Sequence, residues 1–192
     1  MRSSHATQTP AAPTPAAQDP LPRAAFMLLL VASVAILGAA LAFQLIGGLR
    51  PCELCLWQRY PYAVAIGLSG VGFGLARAGA PRDWLAILLL VLALTFAIGA
   101  GIAAFHVGVE QKWWTGTTAC VGASGAGSLD ALREQVLAAP VVRCDEPAWS
   151  LFGISMAGYN GLLSVALTLL SLRFACRLGG WLPKRPHERT ER

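Results

Sequence analysis

Trp84-Leu85-Ala86-Ile87-Leu88-Leu89-Leu90-Val91-Leu92-Ala93-Leu94-Thr95-Phe96-Ala97-Ile98-Gly99-Ala100-Gly101-Ile102-Ala103-Ala104-Phe105 runs without one Asp, Glu, Lys or Arg. A hydrocarbon core about 30 Å thick takes about 20 such residues in a helix. In lipid only helices or a closed barrel satisfy the backbone, and a continuous apolar run rather than an alternating one selects the helix. Three more blocks read the same way: Ala25 to Ile46, Tyr60 to Ala76 and Phe152 to Leu172. The block from Tyr60 is the shortest and contains four glycines, so its ends are the least defined. A mean hydropathy of +0.56 with 13% charged residues excludes a soluble domain. The expected fold is an all-α membrane protein, a bundle of four transmembrane helices.

Lys and Arg orient such a bundle. Four spans put both termini and the link between the second and third spans on one side. That side carries Arg2, Arg23, Arg77, Arg82, Arg173, Arg177, Lys184, Arg185, Arg189 and Arg192. The other side carries Arg50, Arg59, Lys112, Arg133 and Arg143. The termini are therefore expected in the cytoplasm and the two remaining loops outside. The net charge of +5 is mostly this bias, and a basic tail near anionic lipid is favourable, so no nucleic acid is called for. Residues 1–23, rich in Pro, Ala, Ser and Thr, read as a disordered tail. Residues 24–176 read as the membrane domain and 177–192 as a basic tail. Ala40-Leu41-Ala42 loosely resembles a signal-peptidase site, but the apolar run is long for a signal peptide, and the segment is expected to be retained.

The first outward loop is short and centres on Pro51-Cys52-Glu53-Leu54-Cys55. Trp57, Tyr60 and Tyr62 suit headgroup-level anchors. The second outward segment, His106 to Ser150, alone is large enough to carry structure. Trp113, Trp114 and Trp149 mark its membrane-near ends, and Ser128 to Ala138 reads as a short surface helix capped by Ser128. Pro147 reads as the start of a helix.

Four of the five cysteines fall by position into two outward pairs, Cys52 with Cys55 and Cys120 with Cys144, where disulfides persist. Cys176 lies on the cytoplasmic side, as a small buried or interfacial thiol. A CxxC fits dithiol redox, zinc or c-type haem. Leu56 follows Cys55, which excludes haem attachment. A four-cysteine zinc site usually has a second close pair, and Cys120 and Cys144 are far apart, so no metal is expected. A reactive dithiol at a membrane surface is the remaining reading. Cys55 precedes the second span, whose N-terminus favours a thiolate, and Arg59 one turn on adds a positive charge. Arg59 also fits an interfacial arginine reaching for headgroups. His106 and Glu110 share a helix face; they suit proton transfer for a bound acceptor as well as a plain hydrogen-bonded pair. Glu53 reads as solvated. Asp145 and Glu146 would raise the Cys144 thiol pKa. With no flavin, haem or nicotinamide motif, a membrane quinone is the economical electron acceptor.

The segment Pro51 to Arg59, the segment Phe105-His106-Val107-Gly108-Val109-Glu110-Gln111-Lys112-Trp113-Trp114, Arg143-Cys144-Asp145-Glu146-Pro147 and Leu151 to Asn160 resemble the motifs of the disulfide bond formation protein B (DsbB) family, over roughly residues 25 to 175. The resemblance implies a protein-dithiol:quinone oxidoreductase with Cys52, Cys55, Cys120 and Cys144 catalytic. A periplasmic DsbA-like thiol oxidase would attack Cys120 of a Cys120–Cys144 disulfide. Cys144 would then attack a Cys52–Cys55 disulfide at Cys52, and Cys55 would pass electrons to ubiquinone or menaquinone. Arg59 matches the family's quinone-supporting arginine, with His106 and Glu110 as further candidates. Gln58 departs from the family, where Glu is common. The Gly-rich stretch after Cys120 also departs, which leaves the partner open. A vitamin K epoxide reductase-like enzyme would carry its CxxC in a late span, whereas here it follows the first. A membrane scaffold with structural disulfides, or a small transporter subunit, is the non-enzymatic alternative; a transporter path would need intramembrane charges.

Overall fold

The computed structural model describes residues 20–117, 120 and 143–180. Four long helices dominate it: α1 (Pro20–Leu45), α3 (Arg59–Arg77), α4 (Arg82–Glu110) and α5 (Met156–Leu178), with a short α2 (Glu53–Trp57) between the first two. Of these, α1, α4 and α5 are long and apolar enough to cross a membrane. The segment from Arg59 forms a helix of 19 residues, packed between α1 and α4, while α5 packs along α4. The expected surface helix at Ser128 to Ala138 and most of both expected tails lie outside the described residues.

The bundle has its apolar side chains outward as well as inward. Leu28, Val31, Val71, Ile87, Leu94, Leu162 and Leu169 are exposed, as a lipid-facing surface requires. Between helices the contacts are made by Phe26, Leu29, Leu89, Leu92 and Phe96, with small residues where backbones approach. Lipid tails are as apolar as leucine, so close packing rather than hydrophobic burial joins helices in a bilayer. A Cβ on Gly72 of α3 would come within 2.3 Å of the Phe26 ring on α1. Ser33, Ser69, Ser164 and Ser171 are likewise buried small residues. Arg23 Nε donates to the carbonyl of Ala76 at 3.4 Å, tying the start of α1 to the end of α3.

Helix boundaries differ from the sequence reading in three places. First, α1 begins at Pro20 rather than after Arg23; a proline is tolerated in the first turn, where its missing N–H has no partner to lose. Second, α5 begins at Met156, not Phe152. Ser150–Leu151 (β1) and Ile154–Ser155 (β2) form an antiparallel hairpin, Leu151 opposite Ile154. Its two-residue turn has positive φ at Phe152 and Gly153, the mirror-image turn that matches strand twist. Third, Pro147 precedes this hairpin and starts no helix.

The C-terminal end of α4 is closed by a Schellman motif. Trp113 N donates to the Gly108 carbonyl at 2.9 Å and Lys112 N to that of Val109 at 3.0 Å, with Lys112 at φ 59°. The chain then doubles back. Trp114 stacks on Phe105 and donates its indole N–H to the Phe105 carbonyl at 3.0 Å. This return carries the second loop over the first.

Candidate functional site

Cys52 caps α2. Its Sγ accepts from the Cys55 backbone N–H at 3.3 Å, and its backbone is extended, as at other helix N-caps. One turn of helix therefore brings the two thiols together, Sγ to Sγ 2.7 Å, as a free pair. The Cys52 thiol donates to Cys55, which holds the Cys55 pKa down at about 7 against the opposing effect of burial. That same donation, with burial, pushes the Cys52 thiol up. Arg59 also lowers the Cys55 pKa but contributes less than Cys52 or burial. The sequence reading put the activating charge on Arg59 and the second span; the neighbouring thiol supplies more, because it lies in contact.

Cys120 and Cys144 are disulfide-bonded, and the Cys144 N–H donates to the Cys120 carbonyl at 3.4 Å. Both pairs meet. Cys52, Leu54, Val109, Cys120 and Cys144 form one buried cluster with Cys55 packed against it. Thr117 links the loops: its hydroxyl is 2.8 Å from Glu53 Oε2 and 3.3 Å from Cys120 Sγ. Glu53, part-exposed, thus also accepts a hydrogen bond between the loops. Arg143 pairs with Asp145 at 2.6 Å, and this neighbour holds the Asp145 carboxyl below the usual range.

Two cavities flank Cys55. One, of about 380 Å³, is apolar and lies among α1, α3 and α5; Phe43, Gln44, Cys55, Arg59, Trp149 and Asn160 are among its walls. Phe43, Trp149 and Tyr159 form an aromatic series along it, with ring centroids 5.6 and 6.2 Å apart. The other, of about 260 Å³, is lined by Arg50, Cys52, Cys55, His106, Glu110 and Arg143 with neighbours. Cys55 lines both cavities, whereas Cys52 lines only the second. The structure thus brings Arg59 to the apolar cavity and His106 and Glu110 to the cysteines.

His106 is buried at the end of α4. Its Nε2 lies 3.6 Å from Cys52 Sγ and 3.9 Å from Glu110 Oε1. Glu110 accepts from the hydroxyl of Ser155, which also caps α5 by accepting from Gly158 N–H at 3.1 Å. On the far edge of the ring, Gln58 donates its amide to Nδ1 at 2.6 Å. Asn160 donates to Gln58, Tyr62 donates to Asn160 at 2.6 Å, and Ser164 lies 2.8 Å from the Tyr62 hydroxyl. A hydrogen-bonded chain therefore runs from α5 through α3 to the cysteines. Tyr62 is not the headgroup anchor expected of it; it is 2% exposed and belongs to this chain, whereas Trp57 and Tyr60 are exposed. Gln44, Gln58, Tyr62, Ser155 and Asn160 were not singled out from sequence as site residues. Gln44 and Asn160 carried a signal, as amides inside otherwise apolar blocks.

The chain was compared with known proteins. The family model described as disulfide bond formation protein DsbB matches residues 22–174. A disulfide bond formation protein B of Verminephrobacter eiseniae is 31% identical over 83% of this chain and 89% of its own length. One from Xylella fastidiosa is 33% identical over 71% of this chain and 80% of its own. A protein of Rickettsia prowazekii, RP370, whose name records no function, is 25% identical over 74% of this chain and 81% of its own. No solved structure matches. A match over most of the chain, including every described cysteine of the two pairs, places it plainly: this protein belongs to the DsbB family.

Proposed function

We propose that this protein reoxidises a DsbA-like dithiol at the periplasmic face of the inner membrane and passes the electrons to a quinone, through four spans with both termini cytoplasmic. The observation that carries the reading is the single buried cluster holding both cysteine pairs. Electrons can cross between them by thiol exchange without a large movement of either loop.

The exchanges balance as follows. A partner thiolate attacks Cys120; the Cys120–Cys144 bond breaks and Cys144 leaves as a thiolate. Cys144 attacks Cys52 of an oxidised Cys52–Cys55 pair, and Cys55 leaves as a thiolate. The second partner thiol displaces Cys120, which recloses on Cys144 and frees Cys52. The partner is oxidised by two electrons, and the Cys52–Cys55 pair is reduced by two. The result is the described state, a disulfide at Cys120–Cys144 beside a free Cys52–Cys55 pair. Cys120 suits the first attack because it lines a third cavity, of about 380 Å³, beside Lys112, Trp113 and Trp114, and Cys144 does not.

The apolar cavity fits a quinone: aromatic and aliphatic walls open between helices, with Arg50, Arg59, Gln44, Gln58 and Asn160 among its polar groups. Bound there, a quinone supplies the two-electron acceptor. Arg59, Gln44 and Asn160 would orient its carbonyls, and Cys55, held low at about 7, presents the thiolate. His106 and Glu110 would hold and move the proton at Cys52 Sγ.

The test is quinone reduction by the protein in lipid, driven by a reduced DsbA-like dithiol. Cys55→Ser should abolish it, and Cys120→Ala should block oxidation of the dithiol while leaving quinone binding intact. Cysteine pairs that resist the dithiol altogether would instead support the structural-disulfide alternative.

A further inference from the structure

We propose that the reduced Cys52–Cys55 pair, His106 and Glu110 form a binding site for a divalent cation of the zinc class, present only while the pair is reduced. The ligating atoms of Cys52, Cys55 and His106 all lie within 4.8 Å of one another. Tetrahedral zinc, with Zn–S of about 2.3 Å and Zn–N of about 2.0 Å, sets a sulfur-to-nitrogen edge of about 3.5 Å. Cys52 Sγ and His106 Nε2 are 3.6 Å apart. The sulfurs, at 2.7 Å, must open to about 3.8 Å, the sulfur-to-sulfur edge of the same tetrahedron. Cys55 is only half-buried and faces cavities on two sides, so a turn of its side chain suffices.

Glu110 stands outside this group of three and reaches the fourth position only when its side chain swings inward. Its Oε1 is 3.9 Å from His106 Nε2, and Ser155 holds its other oxygen. The cavity of about 260 Å³ gives the ion a route to all four side chains. Two thiolates and a carboxylate exceed the charge of a divalent ion by one; Arg50 lines the same cavity, as does Arg143 with its partner Glu146.

A ligating histidine commonly donates its other ring N–H to an oxygen. Metal at Nε2 puts the ring proton on Nδ1, where Gln58 must then turn its carbonyl oxygen. Gln58, Asn160, Tyr62 and Ser164 can each both donate and accept. The whole chain therefore reverses its sense without orphaning a member.

The site rests on this geometry alone; its consequence rests on the relay proposed above. Metal-bound thiolates attack and donate more slowly than free ones, so the ion would hold the protein longer in its reduced state. A Cys52–Cys55 disulfide offers no thiolate and excludes the ion.

The experiment uses the full chain in lipid nanodiscs with Cys176→Ser, without partner or quinone. Zinc is titrated against a chromogenic chelator, for the reduced and oxidised protein and for a Cys52→Ser/Cys55→Ser control. One zinc per reduced chain above that control is expected, and none when oxidised. Gln58→Leu should weaken binding about 10- to 100-fold, and His106→Ala, which removes a ligand outright, should weaken it more. Cobalt in the reduced protein should give a thiolate-to-metal absorption band together with tetrahedral ligand-field bands, a readout that needs no variant. Zinc uptake no greater than the control, or an affinity indifferent to His106→Ala with no tetrahedral cobalt spectrum, overturns the site. Metal-free quinone reduction is measured beside it. Turnover without zinc binding sinks this proposal alone, and zinc binding without turnover sinks the relay alone.

Discussion

The Arg59 guanidinium donates through Nη1 to Oε1 of Gln44 across 2.6 Å, joining the first turn of α3 to the last turn of α1. Both residues wall the apolar cavity beside Cys55. The arginine is thus held at the cavity by the protein rather than left to reach for headgroups. A hydrogen bond to a charged group contributes about 1.5–3 kcal/mol, and partial exposure of Arg59 puts its effect at the low end.

Arg59→Ala should therefore raise the KM for quinone about tenfold with a smaller change in kcat. Gln44→Leu should move KM in the same direction by less, since the charge remains while its orientation is lost. Steady-state kinetics over a quinone series checks both. Unchanged KM in Arg59→Ala would return the residue to a headgroup role.

Cys55 should react with an alkylating agent as a thiolate with a midpoint at about pH 7. Above it the rate levels off. Below it the thiol takes up its proton and the rate falls about tenfold per pH unit, because only the thiolate is nucleophilic. Cys52→Ala removes the donor and should move the midpoint up toward the ordinary thiol value of about 8.5. Mass spectrometry of labelled peptides across pH 5 to 10 reads this directly.

Asn160→Leu should leave Gln58 Oε1 without its described partner, while the Tyr62 hydroxyl keeps Ser164. Orphaning a buried polar group costs about 1–3 kcal/mol. A lower unfolding temperature in detergent is expected, with slower turnover as His106 loses the support behind its ring. Asn160→Asp, which keeps the acceptor for Tyr62, should recover part of the stability.

Gly108→Ala should unseat Trp114, since a Cβ there would lie 2.0 Å from the indole ring. Overpacking of this kind costs about 1–3 kcal/mol. The chain after Trp114 leads to Thr117 and Cys120, so reaction of Cys120 with a reduced dithiol should slow while quinone binding holds. Tryptophan fluorescence and stopped-flow thiol exchange separate the two effects.

Much of the site was legible in one dimension. The CxxC, the second cysteine pair, Arg59, and His106 with Glu110 each stand near the end of an apolar block, and a helix end at a membrane surface is a place a sequence can mark. The partners of these residues were not legible. Thr117 and Glu53 lie 64 positions apart, and Tyr62 and Asn160 lie 98 apart; no local pattern joins them. The hairpin at Ser150 to Ser155 was missed because its apolar residues continue the block that becomes α5. Its Phe152-Gly153 turn is a two-residue signal inside a hydrophobic run.

The sequence by itself determined a membrane protein of long apolar helices with two cysteine pairs near helix ends, because hydrocarbon thickness and backbone hydrogen bonding leave few other solutions for such runs. Only the tertiary structure decided what each polar group meets. It set Cys55 between two cavities, gave Arg59 to Gln44, and turned His106 toward Cys52 with Gln58 behind it. Those choices depend on helix rotation and on how closely small residues let α1, α3, α4 and α5 approach. Close packing settles both, and packing is a property of surfaces in contact that no single helix contains.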